Sequence, residues 1–313
     1  MTNSTIEETE ESLRGKASTR RRRARLGTFT GWPYMLPAFL LVLGVTAYPL
    51  YFAARFSLFE TRMWDTTEFA GFGNYQSIVT DPGFATNARA TAAYVVFGVV
   101  GCTALGIGLA LALRRSSKGT KLLRTIIIIP WITSEVVVAI TWRWMLNPQY
   151  GPVTAAFETL GLPPFPNLFA SGVSAMAVLI VVNIWRSLAF PMLMSLAALQ
   201  AVPRETEEAA EVDGANYWQR VRHILIPAIM PVTIVTVIVL TINYFNMVVL
   251  VIDLTGGGPM GRTEIFGLRL YREAFEYFNV DTAATLTMIM LVVNFALAIW
   301  YFRALRRQAG GEA

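Results

Sequence analysis

The 313-residue sequence contains one cysteine, Cys102, and one histidine, His223. Those counts exclude a disulfide framework, a Cys-x-x-Cys redox pair and a His/Cys metal cage. A Ser-His-Asp triad would have to use His223, which sits beside Arg222 ahead of a long apolar segment. Charge is scarce as well: Asp, Glu, Lys and Arg make up 15% of the residues and hydrophobic types 54%, whereas a soluble domain carries roughly 25% charge. That composition does not suit an ordinary cytosolic enzyme. A Gly-x-x-x-x-Gly-Lys-[Ser/Thr] phosphate loop is missing, and Gly256-Gly257-Gly258 runs on into Pro259 and Met260 instead, so nothing in the sequence is built to cradle ATP. The net charge is +5. Its arginines and lysines gather in a few clusters between long uncharged runs, the distribution of a membrane protein rather than of a nucleic-acid binder.

A bilayer core about 30 Å thick needs roughly 20 mostly apolar residues per helix, and six stretches meet that length. They cover residues 32–54, 90–113, 125–146, 172–199, 224–252 and 282–302. Glu135 and Arg143 fall inside the third and Arg186 inside the fourth; the fifth carries no charge at all. The first run is too long for a signal-peptide core and ends in Tyr48-Pro49 without a small-residue cleavage pattern, so it reads as a retained span. The expected fold is an all-α integral membrane domain of six transmembrane helices over residues 31–307.

The loops then set the orientation, because lysine and arginine beside a span stay on the cytoplasmic side. With the N-terminus inside, the cytoplasmic segments hold eighteen basic residues, from the Arg20–Arg23 run through Arg114, Arg115, Lys118 and Lys121 to Arg306 and Arg307. The outer loops hold four: Arg62, Arg262, Arg269 and Arg272. Both termini are therefore expected in the cytoplasm, with the protein multi-pass in the plasma membrane. Residues 1–30, acidic and then basic, have too few large apolar side chains to bury a core and are expected as a disordered tail. Their arginine run is suited to anchoring on anionic lipid. Residues 308–313 form a second short tail.

Between the fourth and fifth runs lies a cytoplasmic segment, residues 200–227, that topology alone does not require. Pro203 suits a first helical position, and Glu205, Glu207 and Glu208 follow in the turn where the helix dipole favours negative charge. A short helix is expected from there to Val212. Ala209 and Ala210 leave a small-residue patch for close approach, and Gly214 permits a sharp turn before a Trp218-containing stretch that leads into Pro227. The result is a helix-turn-helix shaped to dock something in the cytoplasm.

The elements Glu208-Ala209-Ala210, Asp213-Gly214-Ala215 and Ile224-x-x-Pro227 resemble the EAA loop of the permease subunits of ATP-binding-cassette importers. The wider block, from Asn183-Ile184-Trp185 through Phe190-Pro191 and Ala197-Ala198-Leu199-Gln200 to Pro231, is similar to the maltose, lactose and glycerol-phosphate permease group. Thr255-Gly256-Gly257-Gly258-Pro259 resembles the first of the two permease subunits of such systems. Ile226 stands where that family usually has Leu, and the Gly-x-Ala-Ser pattern usual after the fifth span is missing beyond Phe278. The resemblance implies six core helices beside a second homologous permease subunit. It further implies two ATPase subunits that bind ATP and Mg and dock on the EAA loop, with an extracytoplasmic binding protein that delivers a carbohydrate. On that reading the chain has no catalytic residue, metal or cofactor of its own, and Glu208, Ala209, Ala210, Asp213 and Gly214 couple it to the ATPase.

Polar groups inside the spans are costly and face a cavity or a partner. Asn183, Arg186 and Phe190 in the fourth run, with Asn243, Tyr244 and Asn246 in the fifth, have the chemistry that binds sugars: amide and charged groups for hydroxyls, rings for stacking. Two roles remain open for the asparagines, ligand contact or hydrogen bonds between helices worth about 0.6 kcal/mol each. Arg186 either pairs with Glu135 or attracts an anionic substrate such as a sugar phosphate.

The orientation is checked with single cysteines. One placed in residues 147–167, a segment without Lys or Arg, should react from outside with a membrane-impermeant thiol reagent, and one near Lys118 should not. Reversed labelling would overturn the orientation.

Overall fold

The computed structural model describes residues 32–62, 64–115 and 117–309. The expected N-terminal tail and the last four residues lie outside them. The chain divides into two compact units that meet in sequence at Arg55 and Phe56. The first contributes helix α1 (Trp32–Ser57), an apolar helix with Pro37 and Pro49 inside it. Thr46 Oγ1 donates to the Val42 carbonyl at 2.7 Å, so that its hydroxyl is satisfied within its own helix.

The second unit opens with a feature that the all-α expectation missed. Strands β1 (Phe59–Arg62) and β2 (Asp65–Phe69) pair antiparallel as a small hairpin, with Phe59 opposite Phe69 and Arg62 opposite Asp65. Both strands are too short to raise a period-two signal, and the hairpin is held from outside. The Thr61 amide donates to Asp281 Oδ2, and the Asp281 amide donates back to Thr61 Oγ1, each at 3.1 Å.

Helix α2 (Gly73–Thr80) leads into α3 (Pro82–Ala112), the longest helix among the described residues. Its start follows from local chemistry: Pro82 occupies the first turn, where its missing N–H costs nothing, and the Asp81 carboxylate accepts from the Gly83 amide at 2.8 Å. That hydrogen bond, together with the Arg269 guanidinium, holds the Asp81 carboxyl below its ordinary range.

Three of the expected spans are not straight. The third run divides into α4 (Lys118–Ile132) and α5 (Glu135–Met145), which meet at 99°. Thr133 and Ser134 are extended between them, and the new helix begins with Glu135 at its positive end. The fourth divides into α7 (Gly172–Ser187) and α8 (Ala189–Gln200), bent by 44° at Leu188. Pro191 then lies in the first turn of α8, where no intrahelical N–H is needed. Between these pairs lies the short α6 (Pro152–Thr159).

After α9 (Arg204–Val212) comes α10 (Tyr217–Arg220), continued by a π turn (Val221–Leu225) into α11 (Ile226–Phe245). The π turn sits just ahead of Pro227, which has no N–H to return to the turn before it. The expected run to residue 252 ends early, at Phe245. Asn246 turns its side-chain Nδ2 back onto the Ile242 carbonyl at 2.7 Å, and a separate helix α12 (Val249–Leu254) follows. Helices α13 (Phe266–Phe275) and α14 (Val280–Ala309) complete the chain. Among the described residues four helices are long and apolar enough to cross a membrane, or six if each bent pair counts as one span.

Helix α3 is the centre of the second unit, and glycine makes its contacts close. A Cβ on Gly98 would stand 2.7 Å from the Tyr244 ring, and one on Gly106 would stand 2.7 Å from Pro191 Cβ and 3.0 Å from the Met192 backbone nitrogen. Small residues let helix backbones approach where water supplies no driving force between them. Fully buried Tyr94, Cys102, Leu179 and Leu250 fill the core around these contacts. Gly106→Ala is therefore expected to destabilise the detergent-solubilised protein by about 1–3 kcal/mol, because neither a proline ring nor backbone can move aside. Gly108→Ala, whose Cβ meets nothing within 4 Å, should leave thermal unfolding unchanged. Equal melting of the two variants would refute the close-packing account.

Candidate functional site

The bends in the α4/α5 and α7/α8 pairs and the end of α11 enclose a cavity of about 550 Å³. Two facing rings line it, Trp131 from the end of α4 and Phe190 from the start of α8, with ring centroids 6.4 Å apart and planes 31° from parallel. Glu135 opens α5 and Arg186 lies in the last turn of α7, so the two breaks bring them together: Arg186 Nη2 and Glu135 Oε1 are 2.9 Å apart. Among the lining residues these are the charged ones, and Ser187, Asn243, Tyr244 and Asn246 add neutral polar groups.

The sequence-predicted path residues occupy different positions around this space. Arg186, Phe190, Asn243, Tyr244 and Asn246 all line it. Asn243 is exposed and makes no side-chain hydrogen bond among the described residues. Asn246 is committed to the Ile242 carbonyl and receives the Asn294 Nδ2 at 3.4 Å. Tyr244 offers the cavity little surface, being 1% exposed and packed on Tyr94. Asn183 is fully buried, and it reaches the wall through Ser187, whose Oγ stands 3.4 Å from its Oδ1. Arg186 stands paired with Glu135 at the cavity wall.

Beyond the C-terminal end of α3 the segment of residues 200–227 forms two short helices around a tight turn. Pro203 caps α9 in extended conformation rather than entering it. The helix closes in a complete Schellman turn: the Ala215 amide donates to the Ala210 carbonyl at 2.9 Å and the Gly214 amide to the Glu211 carbonyl at 3.1 Å. That turn needs the left-handed conformation, and Gly214 has φ of +85°. Asn216 and Gln219 then cap α10 reciprocally. Glu208, Ala209, Asp213 and Gly214 are exposed and Ala210 is half-buried. Beside them Val212 is 88% and Trp218 74% exposed, which makes this an apolar and acidic surface without cover from the described residues.

What holds this surface in place is a pair of ion pairs that the motif reading passed over. Arg114, just beyond α3, grips both carboxylate oxygens of Glu207 and also donates to the Leu199 carbonyl at the end of α8, at 3.3 Å. The Arg114 guanidinium keeps the Glu207 carboxyl below its ordinary range. Arg220 pairs likewise with Glu211. The helical period carried the signal: Glu207 and Glu211, four apart, share one face, while Glu205, Glu208, Ala209 and Val212 share another.

Residues 104–309 match the family described as binding-protein-dependent transport system inner membrane component. The chain belongs to that family. It is a multi-pass inner-membrane component of a transport system. Over 269 residues, 85% of this chain and 90% of the relative, it is 31% identical to the inner membrane ABC transporter permease protein YcjO of Escherichia coli. Over 234 residues it is 32% identical to the trehalose/maltose transport system permease protein MalF of Thermococcus litoralis, covering 73% and 78% of the two chains. The solved bacterial alginate ABC transporter, in complex with its alginate pentasaccharide-bound periplasmic protein, shares the fold at a TM-score of 0.77. That likeness has 21% identity and covers 88% of this chain and 93% of the other.

The Arg114–Glu207 contact yields a direct test. Arg114→Glu and Glu207→Arg should each speed amide hydrogen exchange across residues 204–212 severalfold, in keeping with about 1 kcal/mol for a bidentate, partly exposed pair. The double exchange should restore protection. Single variants with the protection of the unmodified protein would show that the pair does not hold the helix.

Proposed function

We propose that this chain is one of two homologous permease subunits of an ATP-driven importer, and that its cavity forms part of the path for a carbohydrate. The observation that carries the substrate class is the cavity wall itself: the Trp131 and Phe190 rings flank an amide, a hydroxyl and an ion pair. Sugars present apolar C–H faces to rings and hydroxyls to fixed donors and acceptors. The similarity to a trehalose/maltose permease supports the same class. A sugar, an oligosaccharide or a sugar-alcohol phosphate belongs to it.

In this reading the bent pairs are two of six spans and both termini lie in the cytoplasm, as the basic loops require. An extracytoplasmic binding protein hands over the substrate. Two ATPase subunits bind ATP and Mg and seat the α9 helix, with Glu208, Ala209 and Val212 toward the partner and Glu207 toward the spans. Hydrolysis belongs to those subunits, and the permease supplies the path and the joint.

Asn243→Ala and Trp131→Ala should weaken uptake, by about 0.5–1.5 kcal/mol of apparent affinity for the lost amide and more for the ring, with ATPase co-purification unchanged. Gly214→Val should do the reverse. A β-branched residue resists positive φ at about 1 kcal/mol or more, so the variant should insert normally yet uncouple hydrolysis from uptake, as should Glu208→Lys. Uptake and ATPase retention measured on one preparation decide between these outcomes. Normal coupled uptake in both loop variants would remove the coupling role, and normal uptake in both cavity variants would remove the path.

A further inference from the structure

A second cavity, of about 940 Å³, lies away from both sites, between the N-terminal halves of α3 and α7 and the loop after α12. Its floor is apolar and descends in helical steps. Ala93 and Phe97 follow Arg89 at intervals of four along α3, and Met176 and Ile180 follow Gly172 in the same way along α7. Phe97 is 65% exposed. At the upper rim stand two arginines, Arg89 and Arg262, both exposed and both without an acidic or hydrogen-bonding side-chain partner among the described residues. No aspartate or glutamate lines the groove.

Arg262 is held there by fit. Its stem lies across the start of α7, so close that a Cβ on Gly172 would fall 2.5 Å from the arginine Cβ. The arginines of α13, by contrast, are paired: Arg269 with Asp81 and Arg272 with Glu264. The uncompensated guanidiniums therefore coincide with the mouth of an apolar groove. They stand where the uncharged part of α3 begins, at the end of α3 opposite Arg114.

We propose that this groove binds an anionic phospholipid, with its phosphodiester between Arg89 and Arg262 and one acyl chain along Ala93, Phe97 and Ile180. Charge complementarity decides the occupant. Guanidinium matches phosphate oxygens by paired donors, and an apolar channel running down from that contact suits a chain attached to the same phosphate. An acidic protein segment would match the rim and leave the floor unfilled.

Native mass spectrometry of the full chain in detergent, titrated with phosphatidylglycerol or with phosphatidylcholine of the same acyl chains, tests the assignment. Phosphatidylglycerol should half-saturate at about a tenfold lower concentration, since each surface arginine is worth severalfold toward an anionic lipid. Arg89→Gln/Arg262→Gln should abolish the difference, and Arg89→Lys/Arg262→Lys should keep most of it. Equal binding of the two lipids by the unmodified chain overturns the proposal, as does a preference that survives the glutamine pair. Competition by inorganic phosphate alone would mark a free-anion site and overturn the lipid assignment. So would displacement of the lipid by co-purified partner subunits.

Discussion

Inside a bilayer no water is available to satisfy an open N–H or carbonyl, and every other property of this protein is arranged around that constraint. Straight helices meet it automatically. The places where α4 gives way to α5, α7 to α8 and α11 to α12 meet it only through local substitutes: an extended pair at Thr133 and Ser134, a proline shifted into a first turn, and an asparagine returning its amide to the preceding turn. All three breaks lie around the same cavity, which leaves irregular backbone where polar side chains and space can accompany it.

The breaks also create the cavity's chemistry. Glu135 is the first residue after one bend and Arg186 among the last before another. A straight third span would carry Glu135 into hydrocarbon or into helix packing, where an unpaired carboxylate is costly. Bending places the two charges together, and pairing them leaves the cavity wall without net charge. Trp131 and Phe190 come from the same two junctions, so backbone irregularity, ion pairing and ring stacking share one origin.

Helix α3 runs from its packing beside this cavity to the loop beyond its C-terminal end. It touches α8 through Gly106 and ends beside Arg114, which holds Glu207 on α9 and the Leu199 carbonyl of α8 together. A displacement of α9 by a partner would reach α3 and α8 through side chains already in contact. The exposed face of α9 carries the apolar and acidic groups, and its inner face carries the attachment. The 100° step between Glu207 and Glu208 thus separates the two faces of one short helix.

Hydropathy and charge clustering by themselves determined that this is a membrane protein, and the local motif Glu208-Ala209-Ala210 to Gly214 determined where a short helix ends in a tight turn. Both signals are local: apolar run length and turn chemistry depend on near neighbours in sequence. Gly214 at positive φ is where the motif required it. The tertiary structure alone decided what required distant residues to meet. It assigned Arg186 to Glu135, enclosed Asn183 in the core while leaving Asn243 free, brought Trp131 to Phe190, and made Glu207 a structural anchor held by Arg114. It also bent the third and fourth runs, which apolar content cannot reveal, because a hydrophobic stretch reads the same whether it passes straight through a membrane or folds around a cavity within it.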